Sequence, residues 1–224
     1  IKDFGHDRQD IYELFSSKSL KLNPYVLASE RMKLKKPNKA IKFDYSFGNL
    51  YDEYCKQNAI DTKTLNLNKI LADYKEDIKI VEEKNKIKGK HILSVLNIET
   101  QYGTNVGDYN LISTYLSLIK YKPKKKEFAI KELSEIIKWA KKEDIPLNKL
   151  DSIPCSRMGC FGVGQVLPST ANAYNLDKYE IWDIKSTIYF ISKYLADHNG
   201  AKNSEYAIWN YNKSNKYVKD VRRI

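Results

Sequence analysis

Ile92-Leu93-Ser94-Val95-Leu96-Asn97-Ile98-Glu99-Thr100-Gln101-Tyr102-Gly103 is the stretch around which the chain is organised. Ile92, Val95, Leu96 and Glu99 fall at i, i+3, i+4 and i+7 and so share one face of a helix. Three are apolar and the fourth is a carboxylic acid. An acid on an apolar stripe loses hydration, which raises its pKa and favours the protonated form. A general acid working near neutral pH needs that state. Gly103 is expected to end the helix, leaving Glu99 in its last turn beside a loop. The alternative is a structural carboxylate paired with Lys or Arg, since ion pairs also perturb pKa values.

Outward from this stretch the apolar spacing is helical. Upstream, Ile70, Leu71, Tyr74, Ile78 and Val81 make one long stripe, joined to the Glu99 helix by the basic run Lys84 to Lys90. Asp61 and Thr62 are candidate caps before a helix containing Leu65. Leu50, Tyr51, Tyr54 and Cys55 share another face, and the pattern firms from Phe47. Residues 1–44 read as a helical arm with short helices at Asp10 to Phe15 and Tyr25 to Met32. A basic, proline-broken linker, Lys33 to Lys39, follows them. Downstream, a polar loop Thr104 to Asp108 precedes a helix with Leu111, Tyr115, Leu118 and Ile119. A strongly amphipathic helix carries Phe128, Ile130, Leu133, Ile136, Ile137 and Ala140. Asp151 to Gln165 is irregular. Pro168 starts a short helix, Trp182-Asp183 precedes one over Ile184 to Leu195, and Tyr206 to Tyr211 opens the last. No alternating strands stand out, although the Gly-rich part admits a short hairpin. The expectation is a mainly α protein, with an arm over 1–44 and one domain over 45–224.

The composition fits a folded helical chain with a sizeable core: 224 residues, 42% hydrophobic, 30% charged, with only 9 Gly and 6 Pro. Lys+Arg 39 against Asp+Glu 28 gives a net charge of +11, which suits a polyanionic partner. No apolar run approaches the roughly 20 residues of a membrane helix. The chain opens on Ile1 rather than Met, which is read as a processed or trimmed form and leaves open a removed signal or lipid anchor. Cys155 and Cys160 are close enough in sequence for a small disulfide if the compartment oxidises, with Cys55 then free; three reduced thiols are the alternative. The three histidines are scattered, there is no HExxH and no CxxC, and neither metal nor cofactor is expected.

Ser156 to Thr170 holds three of the nine glycines, a density that means close backbone approach or positive φ. It lacks the GK[ST] ending of a phosphate loop. Near the C-terminus Ile208 to Val218 mixes aromatics with amides; aromatic faces stack on sugar rings and amides bond hydroxyl and N-acetyl groups. In chain order stand Glu-Thr-x-Tyr-Gly at 99–103, Gly-x-x-Gly-x-Gly-Gln-x-x-Pro-Ser at 159–169, Trp-Asp at 182–183 and Tyr-Asn-x-Ser-x-x-Tyr at 211–217. Together they resemble the lytic murein transglycosylases of the membrane-bound B type. The resemblance covers about residues 85–221, with a weaker echo over 45–84.

What it implies is a lysozyme-like, mainly helical catalytic domain that cleaves the β-1,4 bond from N-acetylmuramic acid to N-acetylglucosamine in peptidoglycan and leaves 1,6-anhydro ends. Glu99 matches the single catalytic acid, which a second carboxylate need not accompany, although Asp108, Glu180 and Asp183 stay open as neighbours. Ser156 matches a serine near that acid and Gln165 a substrate-binding glutamine. Tyr211 and Asn212 match a Tyr-Asn pair lining the cleft, with the tyrosine near the acid. Tyr102 matches a sugar-contacting aromatic, and Trp182 and Asp183 read as structural. Asn175 to Ile181 is too short and too poor in acids for the calcium loop that larger relatives carry, so no calcium is expected. The implied partner is the glycan strand, the implied place the periplasm or cell envelope, the implied state a monomer, with membrane anchoring through a removed N-terminal segment left open. Three rivals remain. One is a hydrolytic muramidase and another a non-catalytic wall-binding protein of the same fold. The third, a nucleic-acid-binding helical domain, rests on charge alone and is not expected, because no nucleic-acid motif accompanies it.

Overall fold

Ile92, Val95 and Leu96 are fully buried, and the computed structural model, which describes residues 5–22 and 50–223, is built around the helix that carries them. The helices α1 (Arg8–Phe15), α2 (Leu50–Gln57), α3 (Leu67–Asn85) and α4 (Gly89–Thr100) come first. The two-residue strand β1 (Tyr109–Asn110) leads into α5 (Leu111–Tyr121) and α6 (Lys126–Lys142). Strand β2 (Pro154–Cys155), α7 (Pro168–Ala173), α8 (Ile184–Asp197), α9 (Ser204–Tyr211) and α10 (Asn215–Arg223) complete the order. The fold is mainly α, as expected, and none of the described helices is long and apolar enough to cross a membrane.

Each apolar stripe has a buried partner. α3 packs along α8 and against α4, and α5 pairs with α6, whose Leu133, Ile136, Ile137 and Ala140 are fully buried. Caps set the boundaries: Asn66 Oδ1 accepts from Lys69 N, and Asp183 Oδ2 accepts from Ser186 N at 2.7 Å. Trp182 packs in a ladder of rings, 5.3 Å from Tyr51 and 6.3 Å from Phe161, which lies 5.4 Å from Trp139. Trp182 and Asp183 thus hold the fold, as their sequence context suggests.

The helix expected over Asp10 to Phe15 is α1, and it packs against the turn at Leu147–Ser152. Asp7 caps it, Lys141 bridges to Asp10 at 2.8 Å, and His6 Nε2 pairs with Ser134 Oγ at 2.8 Å. The helix expected over Tyr25 to Met32, the Lys33 to Lys39 linker, the boundary at 44/45 and Phe47 lie outside the described residues.

Several expectations are corrected. Asp61 caps only a 3-10 turn over Thr62–Thr64, and Leu65 follows that turn as a buried anchor. The final helix is two, α9 and α10, separated at Asn212 to Ser214. The small antiparallel element admitted for the Gly-rich part is present, Phe161 and Val166 exchanging both backbone bonds at 2.9 Å, and a two-strand antiparallel sheet joins β1 to β2 with Tyr109 opposite Cys155. All three cysteines are free thiols, and Cys155 Sγ lies 3.5 Å from Thr114 Oγ1 instead of in a bridge to Cys160.

Candidate active site

α4 stops two residues earlier than Gly103 suggests. Its cap is Gln101 at φ 49°, followed by Tyr102 at φ 61° and Gly103 at φ 90°. Three successive residues in the left-handed region, two of them with side chains, are held only where their surroundings over-determine them. Those surroundings are visible. Tyr51 Oη donates to Gly103 O at 2.5 Å, and Gly103 N donates to Thr100 Oγ1 at 3.0 Å. Thr100 Oγ1 in turn donates to Val163 O at 2.9 Å, which fastens the end of α4 to the Gly-rich segment.

Glu99 sits in this last turn and is half-buried. Burial of its carboxyl raises its pKa from 4.5 to about 7, opposed by one hydrogen bond, from Tyr217 Oη to Glu99 Oε1 at 2.6 Å. Its place at the partly negative C-terminal end of a helix acts in the same direction as burial. No charged group contributes to the shift among the described residues, so the ion-pair alternative is not what the structure shows. The Tyr217 phenol is itself buried, and burial followed by the charge of Glu99 holds its pKa far above 10. It is therefore a donor at every working pH.

The acids left open as neighbours are engaged elsewhere or exposed. Glu180 Oε2 accepts from Asp177 N, Asp183 caps α8, and Asp108 is exposed. A further buried acid, Glu132, faces α7, where its two oxygens accept from Ser169 N and Ser169 Oγ.

The Gly-rich segment packs beside the end of α4, tied to it by the Thr100–Val163 bond. Gly159 (φ 80°) lies so close to the buried Tyr115 ring that an added Cβ would stand 2.4 Å from it, while Tyr115 Oη donates to Gly159 O at 2.8 Å. Gly162 (φ 79°) presses on Ile181, 2.6 Å from its carbonyl by the same measure. The side chain of Ser156 is spent on the turn, its Oγ accepting from Cys160 N at 3.1 Å and Met158 N at 3.4 Å. Burial, with the charges of Glu99 and Glu132 adding to it and the Ser156 contact opposing, pushes the Cys160 thiol up to about 12.

Gln165, at φ 48°, donates from Nε2 to Val106 O at 2.9 Å and Gly162 O at 3.0 Å. It ties the loop after Gly103 to the glycine turn; its amide oxygen accepts no bond among the described residues. Tyr211 Oη donates to Gly164 O at 2.6 Å, and its ring meets Tyr194 edge-on at 5.0 Å. The charge of Glu99 adds to the burial that raises its pKa. So Tyr211 is near the acid, but the tyrosine bonded to it is Tyr217, the last position of the 211–217 motif. Asn212 is exposed, in the break between α9 and α10. Tyr102 is 6% exposed, which leaves little ring surface for a sugar to cover. Glu99, Tyr211 and Gln165 are brought together at the end of α4 through the Gly-rich segment; Asn212 is exposed between α9 and α10, and Tyr102 is buried.

Residues 3–206 match the family model described as the transglycosylase SLT domain. That match reaches into the arm, beyond the stretch on which the sequence motifs carry the resemblance, and ends before Tyr211 and Tyr217. The fold is similar to that of the soluble lytic transglycosylase SltB1 from Pseudomonas aeruginosa, at 16% identity and TM-score 0.70, over 99% of this chain and 93% of that one. It is similar to the Escherichia coli lytic transglycosylase Slt35 in complex with bulgecin A, at 18% identity and TM-score 0.69, over 99% and 87%. It is similar too to SltB3 from Pseudomonas aeruginosa in complex with NAG-NAM-pentapeptide, at 18% identity and TM-score 0.68, over 98% and 74%. Likeness at these identities speaks for the fold. Among curated proteins none matches.

Proposed function

The chain belongs to the transglycosylase SLT domain family, lytic transglycosylases that act on peptidoglycan, and from that premise we propose that Glu99 alone serves as acid and then base in a non-hydrolytic cleavage. The bond is the β-1,4 link from N-acetylmuramic acid to N-acetylglucosamine. The protonated carboxyl gives its proton to the leaving glycosidic oxygen. The carboxylate so formed takes the proton of the muramic 6-hydroxyl, whose oxygen closes on C1 and leaves a 1,6-anhydro end.

The observation that carries this is a carboxyl held near neutrality by burial, with a tyrosine hydroxyl as its hydrogen-bond partner. A pKa of about 7 lets one group both give and take a proton at working pH. Tyr217 fixes the carboxyl through Oε1, which leaves Oε2 to carry the proton, and it stabilises the anion once the proton has gone. A hydrolytic route needs a second carboxylate to handle water, and Asp108, Glu180 and Asp183 are each exposed or committed elsewhere. Tyr211, Ser156 and Gln165 shape the cleft by holding the glycine segment, with the Gln165 amide oxygen and Asn212 turned to the sugar. Tyr102 we read as backing for the Glu99 turn. The NAG-NAM-pentapeptide bound to the similar SltB3 supports this substrate class. We place the reaction in the periplasm or cell envelope, where that polymer lies, and carried out by a monomer.

The test is mass spectrometry of muropeptides released from purified sacculi. Anhydro ends are expected from the wild type and no release from Glu99→Gln. Reducing ends would make the protein a hydrolase, and equal release by Glu99→Gln would make it a non-catalytic wall-binding protein.

A further inference from the structure

α9 and α10 present two faces. Inward, Ala207 and Ile208 of α9 and Tyr217 and Val221 of α10 are buried. Outward, the same two helices frame an open groove of about 440 Å³ lined by Asn203, Tyr206, Trp209, Asn215, Lys219 and Arg222. Both aromatics are at the surface, Tyr206 52% and Trp209 37% exposed. Their rings are near parallel, 20° apart with centroids at 6.4 Å. The Lys213 ammonium lies over the Trp209 ring at 4.1 Å and donates to Asn210 Oδ1, fixing the attitude of both. Arg222 pairs with Glu205 across the groove. Over 213–223 five basic residues stand against one acid, Asp220.

A single exposed aromatic needs no explanation, but two near-parallel rings with a groove, side-chain amides and a border of mixed charge, Lys219 and Arg222 beside Glu205, call for a ligand of matching chemistry. Flat apolar sugar faces cover such rings. The side-chain amides of Asn203 and Asn215 suit N-acetyl and hydroxyl groups; Asn203 already spends its oxygen on capping α9, through Tyr206 N at 3.0 Å, and keeps its amide nitrogen to donate. Lys219 suits a carboxylate, whereas Arg222 already holds Glu205, an acid of the same groove. We propose that this outer groove is a second glycan-binding site. It would take N-acetylated, carboxylate-bearing sugar strands of peptidoglycan and hold a strand on the far side of α10 from Glu99. The proposal rests on the peptidoglycan reading for the identity of the ligand, and it adds a holding site outside the cleft. Because α10 supplies both Tyr217 and the groove residues Asn215, Lys219 and Arg222, a strand bound outside also steadies the helix that aims the acid.

The experiment is co-sedimentation of the full chain with purified sacculi, in a Glu99→Gln background so that the polymer survives. Trp209→Ala is expected to weaken retention about tenfold, about 1.4 kcal/mol, and Trp209→Phe to restore most of it. In the otherwise native enzyme Trp209→Ala should lower the ratio of turnover on sacculi to turnover on a short soluble muropeptide, through KM rather than kcat. Equal retention by Trp209→Ala and its parent would overturn the groove while leaving muropeptide release intact as evidence for the enzyme. Trp209-dependent binding to a short single-stranded oligonucleotide in preference to sacculi would overturn it too. Trp209-dependent retention with no muropeptide release from the wild type would keep the groove and remove the catalytic proposal instead.

Discussion

A carboxyl that titrates near 7 leaves two marks on solution behaviour. The acid must be protonated to start the reaction, so kcat/KM for sacculi should fall as pH rises through about 7. Removing the hydroxyl that donates to Glu99 favours the neutral form, so Tyr217→Phe should move that limb to higher pH while lowering turnover about tenfold, read from a pH-rate profile. Stability follows the same proton. The folded state holds it more tightly than the unfolded chain, whose carboxyl titrates near 4.5. The contribution is therefore complete below about pH 4.5 and is lost as pH rises through about 7. At about 1.36 kcal/mol per pH unit it is worth about 3 kcal/mol. The thermal midpoint of Glu99→Gln should thus gain on wild type between pH 4 and pH 8, measured by scanning calorimetry. The raised acid was legible in the apolar spacing of Ile92, Val95 and Leu96, because periodicity reports burial. Its partner was not, since no spacing rule joins positions 118 residues apart.

At the scale of elements, α4 matters less for its length than for how it ends. The left-handed run Gln101-Tyr102-Gly103 is fastened through Thr100 Oγ1, which accepts from Gly103 N and donates to Val163 O. Thr100→Val keeps the shape and strands Val163 O, while Gly103 N falls back on its bond to Thr100 O. It should cost about 2 kcal/mol or more in urea denaturation and lower turnover by loosening the acid. The glycine in the motif pointed to a C-terminal stop, yet the chain turns left-handed two residues sooner, a choice imposed by Tyr51 and the glycine segment rather than by local propensity. The helices of α3, α6 and α8 were plain in the sequence because their stripes are long. The β1–β2 pair was hidden, since two residues per strand carry no alternation and the partners lie far apart in the chain.

For the whole molecule the excess of cations sets a working range. With a net charge of +11 and a Debye length of about 10 Å at 0.1 M salt, retention on sacculi should drop steeply between 0.05 and about 0.5 M NaCl. Turnover of a short soluble muropeptide, which carries few carboxylates, should change less, and the two assays run side by side check it. That charge was readable from composition alone, whereas its concentration on α10, beside an aromatic groove, needed the fold.

The bond between positions 99 and 217 also fixes an order of events. At about 5–20 residues per second the proton donor is synthesised roughly ten seconds before the hydroxyl that meets it. Until α10 docks, the chain owns an acid with nothing to aim it. On the proposed mechanism cutting power therefore waits for residue 217, and any copy shortened before it is born blunt.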